Sequence, residues 1–550
     1  MLMPGNAHLS KHTLEKKPHI RYNGNKSTET GGIILLKAEK QKRRFTKQEW
    51  SWIMYDWANS VYATNIMAAI FPTIFVSVAG AAGDQWWGYA TSVATFLVAV
   101  LAPLLGAVAD YQGMKKKFFS VFAGIGIVFT ALIAATNDWR VMLVGYVISR
   151  IGFSGSNLFY DSFLTDVTTN ERMDRVSSWG YAMGYIGGST IPFVISIVML
   201  MTLGYGNPIA QKFSVLITSV WWLVFTIPFL KNVQQTHYIQ RSPDHSPKQT
   251  FRNIGRTAKE IFQRKGLFLF VVAYFFYIDG VGTIISVSTA YGTVLGLGAV
   301  GMILALLVTQ IVAVPCSILF SKLATKISTR RALISAIVVY TCICVVGFYM
   351  GFSLEPHQEA YEQQVSQHFD EQLSAVTEDE YALKLKSDCR EALQKEDAAK
   401  ALSDIEASIP AEQKENAQAR LVLDAAYAFT ENAECTAAAA SLRKAISFST
   451  ILFWAMAFLV GTVQGGIQAV SRSYFGKLIP KDRSNEFFGF FDIFGKFASV
   501  MGPALYALAG GWSGRSSYGV LCLIFLFLIG LIIMIAGKKP LEALEAEGND

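Results

Sequence analysis

The sequence predicts an all-α membrane protein of twelve transmembrane helices in two six-helix repeats, with a helical insert on the outer side of the second repeat. Three observations carry this expectation. First, 52% of the 550 residues are hydrophobic and only 16% are charged, whereas soluble proteins carry roughly 25% charged residues. Second, twelve stretches stay apolar over the length of about 20 residues that a bilayer requires. Third, the segment Arg150–Pro192 returns 311 positions later. Gly155, Ser162, Arg172, Gly184 and Pro192 recur as Gly466, Ser473, Arg483, Gly495 and Pro503, and Glu171-Arg172 recurs as Asp482-Arg483. These residues punctuate a helical pair, as an internal repeat should. One position inverts its charge: Asp161 in the first copy is Arg472 in the second. A repeated helical pair with one inverted buried charge suggests two half-molecules meeting across an axis.

Residues 1–49 hold 11 Lys or Arg and four Glu with little periodicity, and read as a disordered basic tail. They contain no apolar run suited to a secretory signal, so the first span itself must target the chain. The spans cover 52–79, 86–109, 118–136, 139–163, 177–202, 212–230, 267–290, 293–321, 332–351, 446–474, 486–510 and 516–537. Inside hydrocarbon the backbone can bond only to itself, which makes each span a helix. Loops after even spans hold Lys115–Lys117, Arg172 and Arg175, a cluster from Lys231 to Lys265, Lys322 to Arg331, and Lys477 to Arg483, with Lys538 and Lys539 in the tail 538–550. Loops after odd spans have only Arg140, Lys212 and Arg515. Cytoplasmic loops are the basic ones, so both termini are expected in the cytoplasm.

The linker 231–266 carries Pro243 and Pro247 and divides the spans six and six. The N-terminal bundle is then 50–230, and the C-terminal bundle is 267–351 plus 446–537. Asp56 and Asp279 lie 223 positions apart in spans one and seven, and the loops 106–117 and 321–331 align at an offset of about 215. The later offset of 311 exceeds this by about the length of 352–445, so the second half is the first half with one insertion on the outer side. From Gly351 to Leu442 there are 19 acidic and 7 basic residues, a balance of −12 against +19 for the remainder. That asymmetry is a signal of topology and not a nucleic-acid footprint.

Within the insert, Tyr381, Leu385, Cys389 and Leu393 recur every four residues, which suits one face of a helix. Pro410 breaks the pattern, and Ala411–Ala433 reads as a second arm. Cys389 lies 21 residues before Pro410 and Cys435 lies 25 after it. Either two antiparallel arms bring these thiols level and they bridge in an oxidising compartment, or they stay unpaired in a helical spacer.

The run GAVADYQGMKKK between spans two and three places Gly106, Asp110, Gly113 and Lys115 at a cytoplasmic mouth. The glycines permit a tight turn, and the Asp can cap a helix and pair with a neighbouring cation. This resembles the loop signature of the major facilitator superfamily, except that Tyr111 stands where a cation is usual and Met114 precedes the first Lys. A closer resemblance rests on YDWANSVYATNI (55–66), ADYQG (109–113), GFSGSNLFYDSFL (152–164), AYFFYIDGVGTII (273–285) and the run from Gly465 to Pro503. Together these resemble the bacterial permease family related to the fungal autophagy-linked vacuolar amino-acid effluxer. The likeness covers nearly all twelve spans but neither residues 1–45 nor the insert. It implies a major facilitator fold, a rocker-switch secondary transporter in the bacterial inner membrane, a central cavity lined by spans one, four, seven and ten, and amino-acid export as the best-known activity.

Charges inside spans cost roughly 2.5–3.5 kcal/mol each at a helix centre, which makes them functional candidates. Asp56, Asp279 and Arg150 are candidates for substrate or ion coupling, with polar Asn59, Asn65, Asn157, Gln464 and Gln468 on the same spans as ligands or interhelical glue. Asp161 and Arg472, at equivalent places near the cytoplasmic ends of spans four and ten, are expected to form a gate. Asp492 and Lys496, four apart, read as an intrahelical pair. All seven histidines lie outside the spans, so a proton relay would use Asp56 or Asp279.

The expected function is secondary transport of a small polar solute, an amino acid or related compound, with H+ as the candidate coupling ion. The protein is expected to work as a monomer in the lipid bilayer, without cofactor, metal or nucleic acid. No GxxxxGK[ST] phosphate loop and no HExxH zinc pair is present, and a membrane-embedded enzyme would lack a nucleophile–base constellation. Transport of sugars or drug-like compounds, and a receptor-like protein on a transporter fold, are the alternatives.

Overall fold

The computed structural model describes residues 44–80, 83–204, 206–240, 247–374, 376 and 379–547. Residues 48–550 form one compact unit and residues 1–47 another, of which 44–47 are described. The rest of the expected basic tail lies outside the described residues. Its expected end, however, is helical. The first helix starts at Lys47, and Glu49 is buried, where it accepts from Arg172 Nε and Nη2 at 2.7 Å each and from the Thr168 hydroxyl at 2.7 Å. An acidic residue in a first turn also complements the helix dipole, which draws the helix start outward.

Six helices make the first half: α1 (Lys47–Ala79), α2 (Gly83–Ala109), α3 (Met114–Ala135), α4 (Trp139–Ser162), α5 (Asn170–Leu203) and α6 (Pro208–Asn232). Their starts follow capping chemistry. Asp138 accepts from the Arg140 N–H at the head of α4, and Asn207 with Pro208 starts α6 by accepting from Ile209 and Ala210. Gly113, at φ +71°, closes the turn between α2 and α3. Both α1 and α5 widen into π-helical geometry midway, at Tyr62–Ala69 and Gly184–Thr190, and the two widened turns pack together.

Helix α7 (Pro247–Gln263) lies in the linker. The second half consists of α8 (Lys265–Val294), α9 (Ala299–Ile327), α10 (Thr329–Val365), α14 (Ala433–Leu478), α15 (Ser484–Ser513) and α16 (Ser516–Ala536), and α17 (Lys538–Glu547) follows. Packing repeats between the halves. The pairs α3–α4, α2–α4 and α3–α6 have counterparts in α10–α14, α9–α14 and α10–α16. The halves meet through α2–α15 with its counterpart α5–α9, and through α5–α14 with its counterpart α4–α15. Eleven described helices are long and apolar enough to cross a membrane. The twelfth bundle helix, α4, has 24 residues and carries Arg140, Arg150 and Asp161. Large apolar side chains such as Phe96, Met201, Ile311 and Ile451 face outward, an arrangement that lipid accommodates and water does not.

The segment 352–445 is not a two-armed hairpin standing apart from the spans. Helices α10 and α14 run straight through its expected borders, to Val365 and from Ala433. Between them lie α11 (Glu380–Leu393), α12 (Ala398–Ser408) and α13 (Ala417–Glu431). Leu385 and Leu393 of α11, Leu402 of α12, and Val422 and Phe429 of α13 are buried where these helices pack on one another, and Phe429 meets the buried Tyr361 ring of α10 at 6.2 Å between centroids. Pro410 merely opens a short 3-10 turn between α12 and α13. A break before Ala398 splits the first arm, so the residue count from Pro410 does not bring the thiols together. Cys389 and Cys435 are both free and buried, with the Cys435 Sγ 3.7 Å from Gln364 Oε1. The unpaired alternative is the one the structure holds.

Candidate functional site

The strongest concentration of buried charge joins α1, α4 and α5 of the first half to α14 of the second. Arg472 donates from Nη1 to Asp161 Oδ1 at 2.8 Å and from Nη2 to Asp56 Oδ2 at 3.3 Å. Its Nε reaches the Ser177 hydroxyl at 3.0 Å and Nη2 the Ser177 carbonyl at 3.2 Å. The guanidinium carbon lies 4.7, 5.3 and 4.6 Å from the ring centroids of Trp52, Tyr160 and Tyr181. Tyr160 donates its hydroxyl to Asp56 at 2.7 Å. The side chain of Arg472 is 5% exposed, that of Asp56 13% and that of Asp161 31%. Hydrogen bonds to charged groups contribute about 1.5–3 kcal/mol each, so this cation is the main polar tie between the halves at this level. The close approach needs Gly180, where a Cβ would stand 2.4 Å from Asp56 Oδ2 and 3.2 Å from Arg472 Nη2. The expected Asp161–Arg472 pair is therefore present. Asp56, expected to serve coupling, joins it.

Further ties lie nearer the basic loops. Asp174 accepts from Ser473 at 2.6 Å, Lys477 at 2.6 Å and Thr329 at 2.8 Å. Asp110 accepts from the Asn485 backbone and side-chain nitrogens at 2.9 and 2.8 Å and from the Glu486 N–H at 2.9 Å, which caps the start of α15 across the interface. Gly106 lets that helix start come close, since a Cβ there would lie 2.4 Å from the Asn485 carbonyl oxygen. Burial pushes the Asp110 carboxyl up to about 7, against the pull of Lys115 and the N–H donors. Lys115 ties three segments together through Asp166 at 2.7 Å, Ser484 at 2.9 Å and the Ser162 carbonyl at 3.5 Å. Asp166 also accepts from the backbone N–H groups of Thr236 at 2.9 Å and His237 at 2.8 Å in the linker. The loop motif thus acts as a joint between the two halves.

Burial alone would raise the Asp166 carboxyl, but the Lys115 ammonium and the hydrogen bonds from His237 and Lys115 outweigh it and hold it at about 2. An unfolded Asp titrates near 3.9. The folded value is the lower one, so Asp166 stabilises the protein above pH about 4 and loses that contribution as pH falls toward about 2, a difference on the order of 2 kcal/mol. Melting curves of wild type and Asp166→Asn from pH 6 to 2 should show a gap that is full above pH about 4 and closes below it. A gap independent of pH would show that the carboxylate charge is not what matters.

The remaining candidates divide by environment. Asp279 accepts the Gly502 N–H at 2.8 Å with Oδ1, while its buried Oδ2 has no hydrogen-bond partner. Among the described residues no cation forms an ion pair with it. Arg150 donates to the Tyr146 hydroxyl at 2.8 Å and to Thr95 at 3.3 Å, and among the described residues no carboxylate forms an ion pair with it. Asn59 donates to Asn157 between α1 and α4. Asn65 donates to Ser196 at 3.3 Å and Thr218 at 3.1 Å, and is glue within the first half. Gln468 bonds back to the Gln464 carbonyl at 3.2 Å on its own helix. Gln464 lines an apolar cavity of about 130 Å³ with Ser288, Tyr291, Gln310, Phe453 and Val460, all in the second half and toward the end that carries the insert. Asp492 and Lys496 pair along α15 at 3.0 Å.

Several members of the central site escaped sequence reading. Trp52 lies one helical turn before Asp56, and Ser177 one turn before Tyr181, so each pair shares a face. That spacing was visible in the sequence. Their convergence on Arg472 was not, because it joins helices some 300 residues apart in the chain.

Twelve bundle helices in two matching halves, joined by buried charge toward one end, define a membrane transporter of the major facilitator type. Residues 85–172, 165–365 and 444–539 match the family described as "Vacuole effluxer Atg22 like", and the chain belongs to that family. The matched ranges skip most of the insert. An uncharacterized MFS-type transporter of Bacillus subtilis (strain 168), YxiO, is 39% identical over 505 residues, covering 90% of this chain and 95% of its own length. Autophagy-related protein 22 of Cryptococcus neoformans is 26% identical over 232 residues, 38% of each chain. The crystal structure of a bacterial homologue of iron transporter ferroportin in the outward-facing state superposes with a TM-score of 0.53 at 11% identity, covering 90% of this chain and 98% of that one. The human organic anion transporter MFSD10 superposes at 0.51 with 11% identity, covering 89% and 99%. At such identities these two likenesses concern the fold.

Proposed function

We propose that this transporter moves a small polar solute, an amino acid or related compound, across the cell membrane by alternating access, with proton coupling through Asp279. The observation that carries the reading is the polar seam between the halves. Its bonds cluster at the end with the basic loops, while the apolar cavity lies toward the opposite end. A molecule with two packed halves, sealed at one end, is in one of two states related by rocking. With the basic loops and both termini in the cytoplasm, the sealed state faces outward, and Asp161, Asp56 and Arg472 form its cytoplasmic gate. Arg150, a guanidinium within a span that forms no ion pair among the described residues, is the group we assign to the solute's carboxylate.

Flux in proteoliposomes tests the reading. Radiolabelled amino acids should cross in a protein-dependent manner, faster with an imposed pH gradient, and Arg150→Gln should weaken apparent affinity for them. If no amino acid crosses while a sugar or drug-like compound does in the same vesicles, the substrate class is wrong.

Topology is checked separately. Glu412, exposed beside Pro410, should react as a lone cysteine (Glu412→Cys in a cysteine-free background) with an impermeant maleimide on intact cells. Labelling only after lysis would place the insert, and with it every loop, on the other side.

A further inference from the structure

Arg472 reaches its site from the second half, and the groups that hold it belong to the first. Asp56 and Trp52 come from α1, Tyr160 and Asp161 from α4, and Ser177 and Tyr181 from α5. Part of this cage is held by bonds that do not involve the arginine. Trp52 stacks on Tyr160 with centroids 4.4 Å apart, donates its indole N–H to the Tyr160 carbonyl at 2.8 Å, and is fully buried. Tyr160 is tied in turn to Asp56. Two carboxylates and three aromatic faces form a receptor for a cation: the ring faces attract positive charge, and the carboxylates take its N–H donors. Gly180 leaves the room in which the cation sits. In the gate reading, parting of the halves leaves the two carboxylates and the three rings without their cation.

We infer that the vacated cage is a binding site for the ammonium or guanidinium group of a cationic solute, which occupies the place of the Arg472 side chain in the state open to the basic-loop end. The inference rests on the reading of Arg472 as a gate, and it narrows the solute to one that bears a positive group. The partly exposed Asp161 is the entry side of the site. Solute and Arg472 exclude one another, so the closure that seals the pathway also displaces the cation from the cage.

Arginine and citrulline have nearly the same shape and differ in charge, which makes them the probes. Arg472→Gln protein should bind arginine about tenfold more tightly than wild type does or better, and citrulline no better than wild type does. Adding Asp56→Asn and Asp161→Asn should abolish the arginine binding. In wild type, which avoids any folding defect of the variants, saturating arginine should lengthen the distance between spin labels at Thr169 and Asp482, and citrulline should not. Equal binding of the two probes by Arg472→Gln, arginine binding that survives loss of both carboxylates, or a wild-type distance unmoved by arginine each overturns the proposal. The gate reading is judged apart from this, by whether Arg472→Gln without any probe already shows the longer distance.

Discussion

Replacing Arg472 by Gln is expected to part the ends of α4 and α14 and to stall transport. The variant leaves Asp56 and Asp161 facing one cage with no cation between them. Removing one partner of a buried charge pair costs about 3–5 kcal/mol. Asp161 is 31% exposed, so water recovers part of this, and the net effect should sit nearer the lower end. That is still at the top of the roughly 1–3 kcal/mol range of ordinary conformational coupling and is enough to make the separated state dominant. Spin labels at Thr169 and Asp482, exposed positions in the loops after α4 and α14, should report mainly the longer distance. Asp161→Asn should act in the same direction but less, because Asp56 still holds the arginine. A two-residue gate would recover when its charges are exchanged. Here the exchange puts a carboxylate at 472 beside Asp56, so recovery should be poor and should improve when Asp56→Asn is added. A distance distribution in Arg472→Gln that matches wild type would remove the gate.

Asp279→Asn is expected to uncouple transport from the pH gradient while leaving the conformational cycle intact. Asp279 is fully buried, its Oδ1 accepts the Gly502 N–H, and its Oδ2 has no partner. Taking up a proton there breaks no ion pair. Asp56, in contrast, is bound to Arg472 and Tyr160, so a proton on Asp56 would act through the gate. The amide in Asp279→Asn keeps the acceptor for Gly502 and loses the ionisable proton. Gradient-driven uptake should fall by a factor on the order of 5–150, the usual range of coupling free energies, whereas solute exchange without a gradient should change little. The spin-label distances should stay as in wild type for Asp279→Asn and shift for Asp56→Asn. Full pH-driven uptake by Asp279→Asn would reject the carboxylate as the coupling group.

Much of this molecule was legible before any coordinates. Twenty-residue apolar runs admit only helices in a bilayer, and the repeat at an offset of 311 paired Asp161 with Arg472 by position alone. Helical spacing put Asp492 and Lys496 on one face, and they do pair. Where reading failed, a local count had been asked to carry a three-dimensional answer. The residues on either side of Pro410 were counted as equal arms, but the break before Ala398 makes three helices of them, and Cys389 and Cys435 are unpaired. Glu49 was assigned to a tail because its partner, Arg172, lies 123 residues away.

By itself, then, the sequence determined the twelve helices of the bundle, the two-fold repeat, the asymmetry of charge between loops and the identity of the charges that lipid would not tolerate. Each of these depends on hydrophobicity or spacing along a single helix, quantities that survive without knowledge of the neighbours. Only the tertiary structure decided that Asp56 joins Asp161 around Arg472, that Trp52, Tyr160 and Tyr181 enclose the guanidinium, that Asp110 caps α15 and that Asp279 forms no ion pair among the described residues. The physical reason is that the energy of a buried charge is set by the few groups within about 4 Å of it. In a twelve-helix bundle those groups come from helices hundreds of residues away in the chain.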